Sequence, residues 1–417
     1  MNNYEVLSTI KELEVSDATF FSEPYFVMSK GLGSIIYDVE SRPYIDMCAG
    51  FGALPLGHNH PIYQDIYKSY ITKSPSEIPP CVQGLSDVFS SVDKYELLCR
   101  LKNLFPGCKF SFALSGSQII TTAIKTAMLY TKSSSFISFR GAYHGLDFGA
   151  LSLTQRDYFK RNFHNWYGNT YFCNFNSSDI EKEIYSALDQ ASKQKQRIGA
   201  VILEPIQGRA GCIIPDDDWI LKLRQICTNH GLLLIYDEIF TGLGRTGSIS
   251  YSSKVPADII CLGKALGGGL PISVCVASSK IMDAWPSNKG EAIHTGTFFG
   301  HPLASRFACL TLDYILSQNL CSRVLSVGER FLNSLHNNLD EFDAVKSIRG
   351  KGLMCTVEFT KSELGALISD LLRKDGVIAI PEGELAQCLS FTPPLNIEES
   401  LLNEVVLKLK NILKYLY

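Results

Sequence analysis

Short apolar runs alternate with helical patterns through the middle of the chain, from about residue 50 to about residue 305. The runs that indicate strands are residues 136–139, 200–203, 232–236, 259–262 and 273–277. Between the second and the third run lies an amphipathic helix, which Asp216 caps and Gly231 ends. Strands that alternate with helices in this way predict a mostly parallel sheet covered by helices.

The pattern differs on both sides of this middle part. Residues 1 to about 20 resemble an amphipathic arm, and short strands with turns between them follow up to residue 46. After about residue 306, a long helix precedes strand-like runs and a final amphipathic helix. The runs in question are residues 352–359, 377–380 and 389–391. We therefore predict an arm and part of a small domain over residues 1–49, a large domain over 50–305 and a smaller α+β domain over 306–417.

The composition is that of a soluble enzyme, with 46% hydrophobic and 19% charged residues in a chain long enough to bury a large core. The net charge of −3 gives no reason to expect nucleic acid or a membrane surface as a partner. The 13 cysteines are scattered and never form a C-x-x-C pair, which argues against a disulfide framework and against a zinc site. No signal peptide or membrane-spanning run is apparent, so we expect a cytoplasmic protein without a bound metal.

Two residues at the ends of predicted strands are candidates for catalysis. Asp237 ends the run 232–236, so its carboxylate should point into the crevice where open α/β sheets bind ligands. Lys264 follows 27 residues later (264 − 237) in a glycine-rich turn. Pyridoxal phosphate requires such a pair, because the amine forms a Schiff base and the acid keeps the pyridine nitrogen protonated. Taken singly, each residue would more often be a loop lysine or a strand-end cap.

Four motifs in order along the chain make the pair more specific, and the chain resembles the class III pyridoxal-phosphate aminotransferases of fold type I. The motifs are Ala-Tyr-His-Gly at 142–145, Glu-Pro-Ile-Gln-Gly at 204–208, the strand and turn at 234–247, and the lysine segment at 260–269. The resemblance covers about residues 31–397. It implies an α/β fold with a large domain around a mostly parallel central sheet and a smaller α+β C-terminal domain.

The same resemblance implies an aminotransferase with a ping-pong mechanism. It would move an amino group from a primary amine or amino acid donor to a keto acid or aldehyde acceptor. A racemase, an epimerase or an aminomutase of the same fold uses the same lysine and stays open as an alternative, as does a non-catalytic binding protein.

Further residues, among them Glu204, are assigned to the cofactor site. Gly116 and Ser117 open a predicted helix, whose free backbone N–H groups suit a phosphate. The resemblance implies that Tyr143 stacks on one face of the pyridine ring and that Ile239 presses the other face. It also implies that Thr297 reaches across a homodimer to the phosphate of the partner subunit.

Several substitutions at family positions bear on the substrate. In relatives with two substrate modes, the glutamate at Glu204 pairs with an arginine that swings aside for a carboxylate. Leu146 and Ser390 stand where many carboxylate-binding relatives keep arginine, and Phe240 replaces a glutamine that bonds the ring hydroxyl. Without a guanidinium fork, we expect a donor with a primary amine on a largely apolar frame. Arg209 is a candidate to supply the missing positive charge.

Two glycine motifs point to other functions and fail in context. Residues 242–247 satisfy G-x-G-x-x-G, but residues 248–253 look extended or irregular instead of opening the helix that a dinucleotide site needs. The lysine segment is no P-loop, since Asp258 stands at the required upstream glycine and Ala265 at the required serine or threonine. Arg349 fits a family motif, and the sequence gives it no derivable role.

Overall fold

The computed structural model describes residues 2–15, 17–69, 82, 88–163 and 168–416. The helices in these residues are α1 Asn3–Leu13, α2 Ala49–Gly52, α3 Gln64–Ser69, α4 Val92–Leu104, α5 Gly116–Thr131, α6 Phe148–Leu153, α7 Ile180–Lys193, α8 Asp217–Asn229, α9 Ser279–Met282, α10 Pro302–Ser317, α11 Leu320–Leu339, α12 Leu364–Lys374 and α13 Glu399–Leu416. Among these described helices, none is both long and apolar enough to cross a membrane.

The strands are β1 Met28–Leu32, β2 Ile35–Asp38, β3 Pro43–Asp46, β4 Cys108–Ala113, β5 Ser135–Phe139, β6 Thr170–Cys173, β7 Ile198–Leu203, β8 Leu233–Asp237, β9 Ile259–Leu262, β10 Ser273–Ser278, β11 Val345–Lys351, β12 Met354–Phe359, β13 Val377–Ile378, β14 Ile380–Glu382 and β15 Cys388–Phe391. They form a seven-stranded sheet and two four-stranded sheets.

The seven-stranded sheet has the order β4-β10-β9-β8-β7-β5-β6. Neighbouring strands from β6 to β9 are parallel, whereas β10 is antiparallel to both β9 and β4. The predicted mostly parallel sheet is thus confirmed. Strand β10 reverses because residues 263–272 make a short glycine-rich connection, too short for a crossover helix. The edge strand β4 was not predicted.

Strand β8 shows why this sheet lies at the centre of the large lobe. Its five residues are all buried, and alternate side chains enter different apolar clusters. Leu234 and Tyr236 pack with residues of α7 and α8, while Leu233 and Ile235 pack with α5 on the other face. Burial on both faces explains the continuous apolar run in the sequence. The strand ends at the charged Asp237, at the edge where α5 begins.

A second lobe contains the antiparallel sheet β11-β12-β15-β14, against which α11 and α12 pack, and α13 packs on these two helices. The predicted strand 352–359 is the second half of a hairpin, since β11 and β12 join at a turn where Gly352 has φ +60°. The predicted strand 377–380 divides into β13 and β14, which belong to different sheets. Strand β13 pairs in parallel with β3, so the N-terminal strands lie against this lobe. The domain limits at residues 50 and 305 stay a prediction.

Two arginines, the buried Arg245 and the half-buried Arg349, hold the lobes together. Arg245, in the turn after β8, donates from Nη1 to the carbonyl oxygen of Leu353 at 2.9 Å, and burial lowers the pKa of its guanidinium to about 10. Arg349 donates from Nε to the carbonyl oxygen of Gly211 at 2.7 Å and pairs with Glu358 at 2.6 Å. Arg349 therefore joins the β11–β12 hairpin to the loop after β7, which is the role that the sequence did not reveal.

Candidate active site

A cavity of about 340 Å³ opens at the carboxyl ends of β5, β7 and β8, a volume typical of small-ligand sites. It is lined by Gly116, Ser117, Tyr143, His144, Gly145, Leu146, Glu204, Arg209, Asp237, Ile239, Phe240 and Lys264. The structure therefore brings together every predicted site residue except Thr297.

The Asp237 carboxylate is held in a fixed orientation. Its Oδ2 lies 2.7 Å from Nδ1 of His144, and its Oδ1 accepts a hydrogen bond from the backbone N–H of Ile239 at 3.2 Å. Both side chains are buried, and Nε2 of His144 has no hydrogen-bond partner in the described structure. Strand β8 ends at Asp237, and Ile239 lies in the turn that follows. We did not predict the part played by His144.

Lys264 begins a 3-10 turn directly after β9, with a left-handed φ of 39°. Such a backbone is unusual for a residue other than glycine and is common at functional sites. The amine is buried, with its Nζ 3.8 Å from the centroid of the Phe240 ring. Burial lowers the pKa of Lys264, and the nearby carboxylates of Asp237 and Glu204 oppose this shift. The neutral amine, which can accept a proton, is therefore more accessible than in an exposed lysine.

The other end of the cavity is built from backbone. Gly116 and Ser117 are the first residues of α5, where N–H groups have no acceptor within the helix. Gly145 faces them with φ +121°, and a Cβ at Gly145 would come within 2.4 Å of Cβ of Ser117. A Cβ at Gly116 would meet the side chain of Ile239 at 3.1 Å. The absence of these side chains leaves a cradle that fits an anionic group at the positive end of the helix.

Glu204 follows β7 and is buried beside the cavity. Its Oε1 accepts a hydrogen bond from the N–H of Tyr143, and its Oε2 accepts one from the N–H of Gly208, each at 3.0 Å. Burial raises the pKa of this carboxyl to about 7. Glu204 makes no ion pair with any residue that the structure describes. It fixes the backbone that carries Tyr143 and does not hold an arginine.

The two vacant arginine positions look different in the structure. Leu146 lines the cavity and is 48% exposed, whereas Ser390 is absent from the lining and hydrogen-bonds to a threonine of β12. A guanidinium is nevertheless present, because Arg209 lines the cavity from the loop after β7. Its guanidinium carbon lies 5.5 Å from the Tyr143 ring centroid and 5.6 Å from that of Phe51. From the sequence, Arg209 was only a candidate to replace the arginines that are missing at Leu146 and Ser390.

These groups fit the predicted cofactor, pyridoxal phosphate. The cradle of α5 suits the phosphate, the oriented carboxylate of Asp237 suits a protonated ring nitrogen, and the buried amine of Lys264 suits the aldehyde. Thr297 lies on the surface, in the turn before α10 and outside the cavity of its own chain. A contact of Thr297 with a partner subunit stays a prediction.

Comparison with known proteins agrees with this assignment. Residues 20–413 match the model of a family described as class-III aminotransferase. Ornithine δ-aminotransferase from Plasmodium falciparum is 26% identical, with a TM-score of 0.80 over 100% of this chain and 99% of that chain. A PLP-bound amine transaminase from an uncultivated Pseudomonas species is 25% identical, with a TM-score of 0.83 over 96% and 98%. Ornithine aminotransferase from Toxoplasma gondii ME49, at 23% identity and a TM-score of 0.87 over 100% and 96%, shares the fold.

Proposed function

The chain belongs to the class III aminotransferases and is a pyridoxal-phosphate-dependent transaminase, and from this premise we propose which of its residues do the chemistry. Lys264 is the covalent attachment point of the cofactor, and Asp237 pairs with the ring nitrogen. The backbone N–H groups of Gly116 and Ser117 bind the phosphate. The single observation that carries the proposal is the presence of Lys264 and Asp237 in one cavity with the open end of α5.

The cofactor, when bound, withdraws electrons from the substrate carbon that bears the amino group. The Nζ of Lys264 takes the proton from that carbon and later returns a proton as general acid. Its burial favours the neutral amine that this step needs. The Asp237 carboxylate would pair with the ring nitrogen, and His144 keeps this carboxylate in place. Tyr143 and Ile239, which both line the cavity, would hold the ring between them.

The function is tested by following the two half-reactions separately. We expect the purified protein to be yellow and to lose its visible absorbance when an amine donor is added. One carbonyl product should form per active site, and a keto acid should then restore the absorbance. An amine that is inverted or rearranged without a carbonyl product would contradict transamination and indicate a racemase or an aminomutase.

The donor site combines two kinds of wall. Leu146 and Phe240 make one side apolar, which agrees with the expected amine on an apolar frame. Arg209 makes another part of the lining cationic, so the expected largely apolar frame matches only part of the site. We propose that the donor is a primary amine whose carbon chain contacts the apolar wall.

We also propose that the enzyme is a homodimer with shared active sites. Phe148, Ile293 and Phe298 are large apolar side chains that are about half exposed or more in the single chain, and so is Leu146 at the cavity. Phe298 adjoins Thr297, the residue expected to reach the partner's phosphate. Exposed apolar groups around an active site support an interface at this face.

Light scattering should therefore give twice the mass of one chain. Thr297→Val removes a hydroxyl and little volume, so we expect weaker binding of pyridoxal phosphate in a protein that is still dimeric. Thr228→Val on α8, whose hydroxyl bonds only within its own helix, is the matched control. An active monomer, or equal cofactor affinity in both variants, would contradict the shared site.

For the compartment, we propose the reducing cytoplasm. The cysteines in the described residues are all free thiols. Burial raises the pKa of Cys173 and of Cys227 to about 12, which keeps these thiols protonated. Free, unreactive thiols support a site of action in which disulfides do not form.

A further inference from the structure

A second cavity of about 220 Å³ adjoins the active-site cavity. The two share Tyr143 and Arg209 in their walls. The outer cavity is also lined by Arg156, Gln155 and Gln387, whose side chains are polar. A substrate long enough to extend from the active-site cavity into the outer cavity would therefore contact Arg209, which lines both cavities, and then Arg156, which lines only the outer one.

Arg209 has an unusual set of neighbours for a half-buried arginine. Its guanidinium lies between the rings of Phe51 and Tyr143, which support it by cation–π contact. It makes no ion pair with the residues described, and its Nε is buried without a hydrogen-bond partner. Arg209 lines both cavities, so its positive charge is available to an anionic group that enters them. The planar fork of a guanidinium suits a carboxylate, to which it can donate two parallel hydrogen bonds.

Arg156 is linked to Arg209 through the backbone of one residue, Gly383. The N–H of Gly383 donates to the carbonyl oxygen of Arg209 at 3.1 Å, and the carbonyl oxygen of Gly383 accepts from Nη2 of Arg156. Burial lowers the pKa of Arg156, and the charge of Arg209 lowers it further. The two cations therefore repel each other, with Glu384 as a partial counter-charge. An anion bound between them would relieve this repulsion.

We propose that Arg209, with Arg156 behind it, binds a carboxylate of the substrate and so determines which substrates the enzyme accepts. The inference rests on the proposed function for the position of the reacting amine at Lys264. The substrate class is an amino acid, or the corresponding oxo acid, whose carboxylate lies at the far end of an aliphatic chain. The apolar wall at Leu146 and Phe240 contacts the chain, and Arg209 supplies the charge that is missing at Leu146 and Ser390.

The first test compares substrates that differ only in the carboxylate. Half-reaction kcat/KM is measured for 4-aminobutyrate and 6-aminohexanoate and for butylamine and hexylamine. We expect Arg209→Leu to lower the values for the better aminocarboxylate by at least about tenfold, mostly through KM, since hydrogen bonds to charged groups are lost. The two alkylamines should change by less than about threefold. Arg209→Lys keeps the charge without the fork and should retain part of the discrimination.

Arg156→Leu should show the same selective loss to a smaller extent. Arg161→Leu is the matched control, because Arg161 is an arginine of the same segment that lies over the Tyr158 ring and lines neither cavity. It should leave all four substrates unchanged. Equal effects of Arg209→Leu on aminocarboxylates and alkylamines would overturn the proposal.

A binding measurement separates this proposal from the proposed function. Titration calorimetry with hexanoate, which has no amine and cannot react, should show binding to the wild-type holoenzyme and at least about tenfold weaker binding to Arg209→Leu. No binding to wild type, or equal binding to both proteins, would overturn the assignment. If no amine gives a carbonyl product, the proposed function fails, and the hexanoate result still decides whether Arg209 binds a carboxylate.

Discussion

Replacing Lys264 with alanine is expected to abolish turnover in a protein that still folds and still binds pyridoxal phosphate without a covalent bond. The change removes the attachment point and the proton carrier together. Positioned proton transfer alone contributes about 10²–10⁴-fold, so the combined loss should reach at least about 10⁴-fold. The free energy of unfolding should not fall, because the variant no longer has to bury an amine that is better solvated by water.

Borohydride reduction followed by peptide mapping checks the assignment directly. The cofactor should be fixed to the peptide that contains Lys264 in wild type and to no peptide in the variant. Lys160→Ala is the control. Burial lowers the pKa of Lys160 to about 8, so its amine is also more readily neutral than that of an exposed lysine. This variant should keep its activity. Cofactor attached to Lys160 or to any other lysine would refute the role of Lys264.

The sequence was sufficient to predict that Asp237 and Lys264 share one cavity, because their signals are local. Each residue adjoins a short, fully buried strand, and burial on both faces produces an apolar run that needs no partner to be recognised. Strand β4 gave no such signal. It lies at the sheet edge, and only its last two residues are buried, so its polar positions at Lys109 and Ser111 hid it.

The contact of His144 with Asp237 and the position of Arg209 in the cavity could not be derived from the sequence, for a different reason. His144 reaches Asp237 only because β5 and β8 flank β7 in the sheet, and strand order is not contained in the local pattern. The guanidinium of Arg209 is supported by the rings of Phe51 and Tyr143, which come from separate parts of the chain. Residues that act through contacts distant in sequence become visible only once the topology is known.

Replacing Asp237 with asparagine is expected to leave the fold intact and to lower the rate by at least about 100-fold, equivalent to about 2.7 kcal/mol of barrier. Asparagine has nearly the same shape, and its amide can still accept the N–H of Ile239. The other half of the amide can donate to Nδ1 of His144 if the ring proton moves to Nε2, which is free to carry it. The ring nitrogen, however, loses the negative charge that keeps it protonated.

Reconstitution with an N-methylated cofactor tests this cause, because its ring nitrogen is positive without any acid. Asp237→Ala leaves room for the methyl group. Its rate should rise at least about tenfold when the methylated cofactor replaces the natural one, since the fixed positive charge lowers the barrier again.

His144→Phe keeps the carboxylate of Asp237 but removes its hydrogen bond to the ring, so its rate should fall less than that of Asp237→Asn. An Asp237→Asn variant within about threefold of the wild-type rate would mean that the electron sink does not depend on this carboxylate.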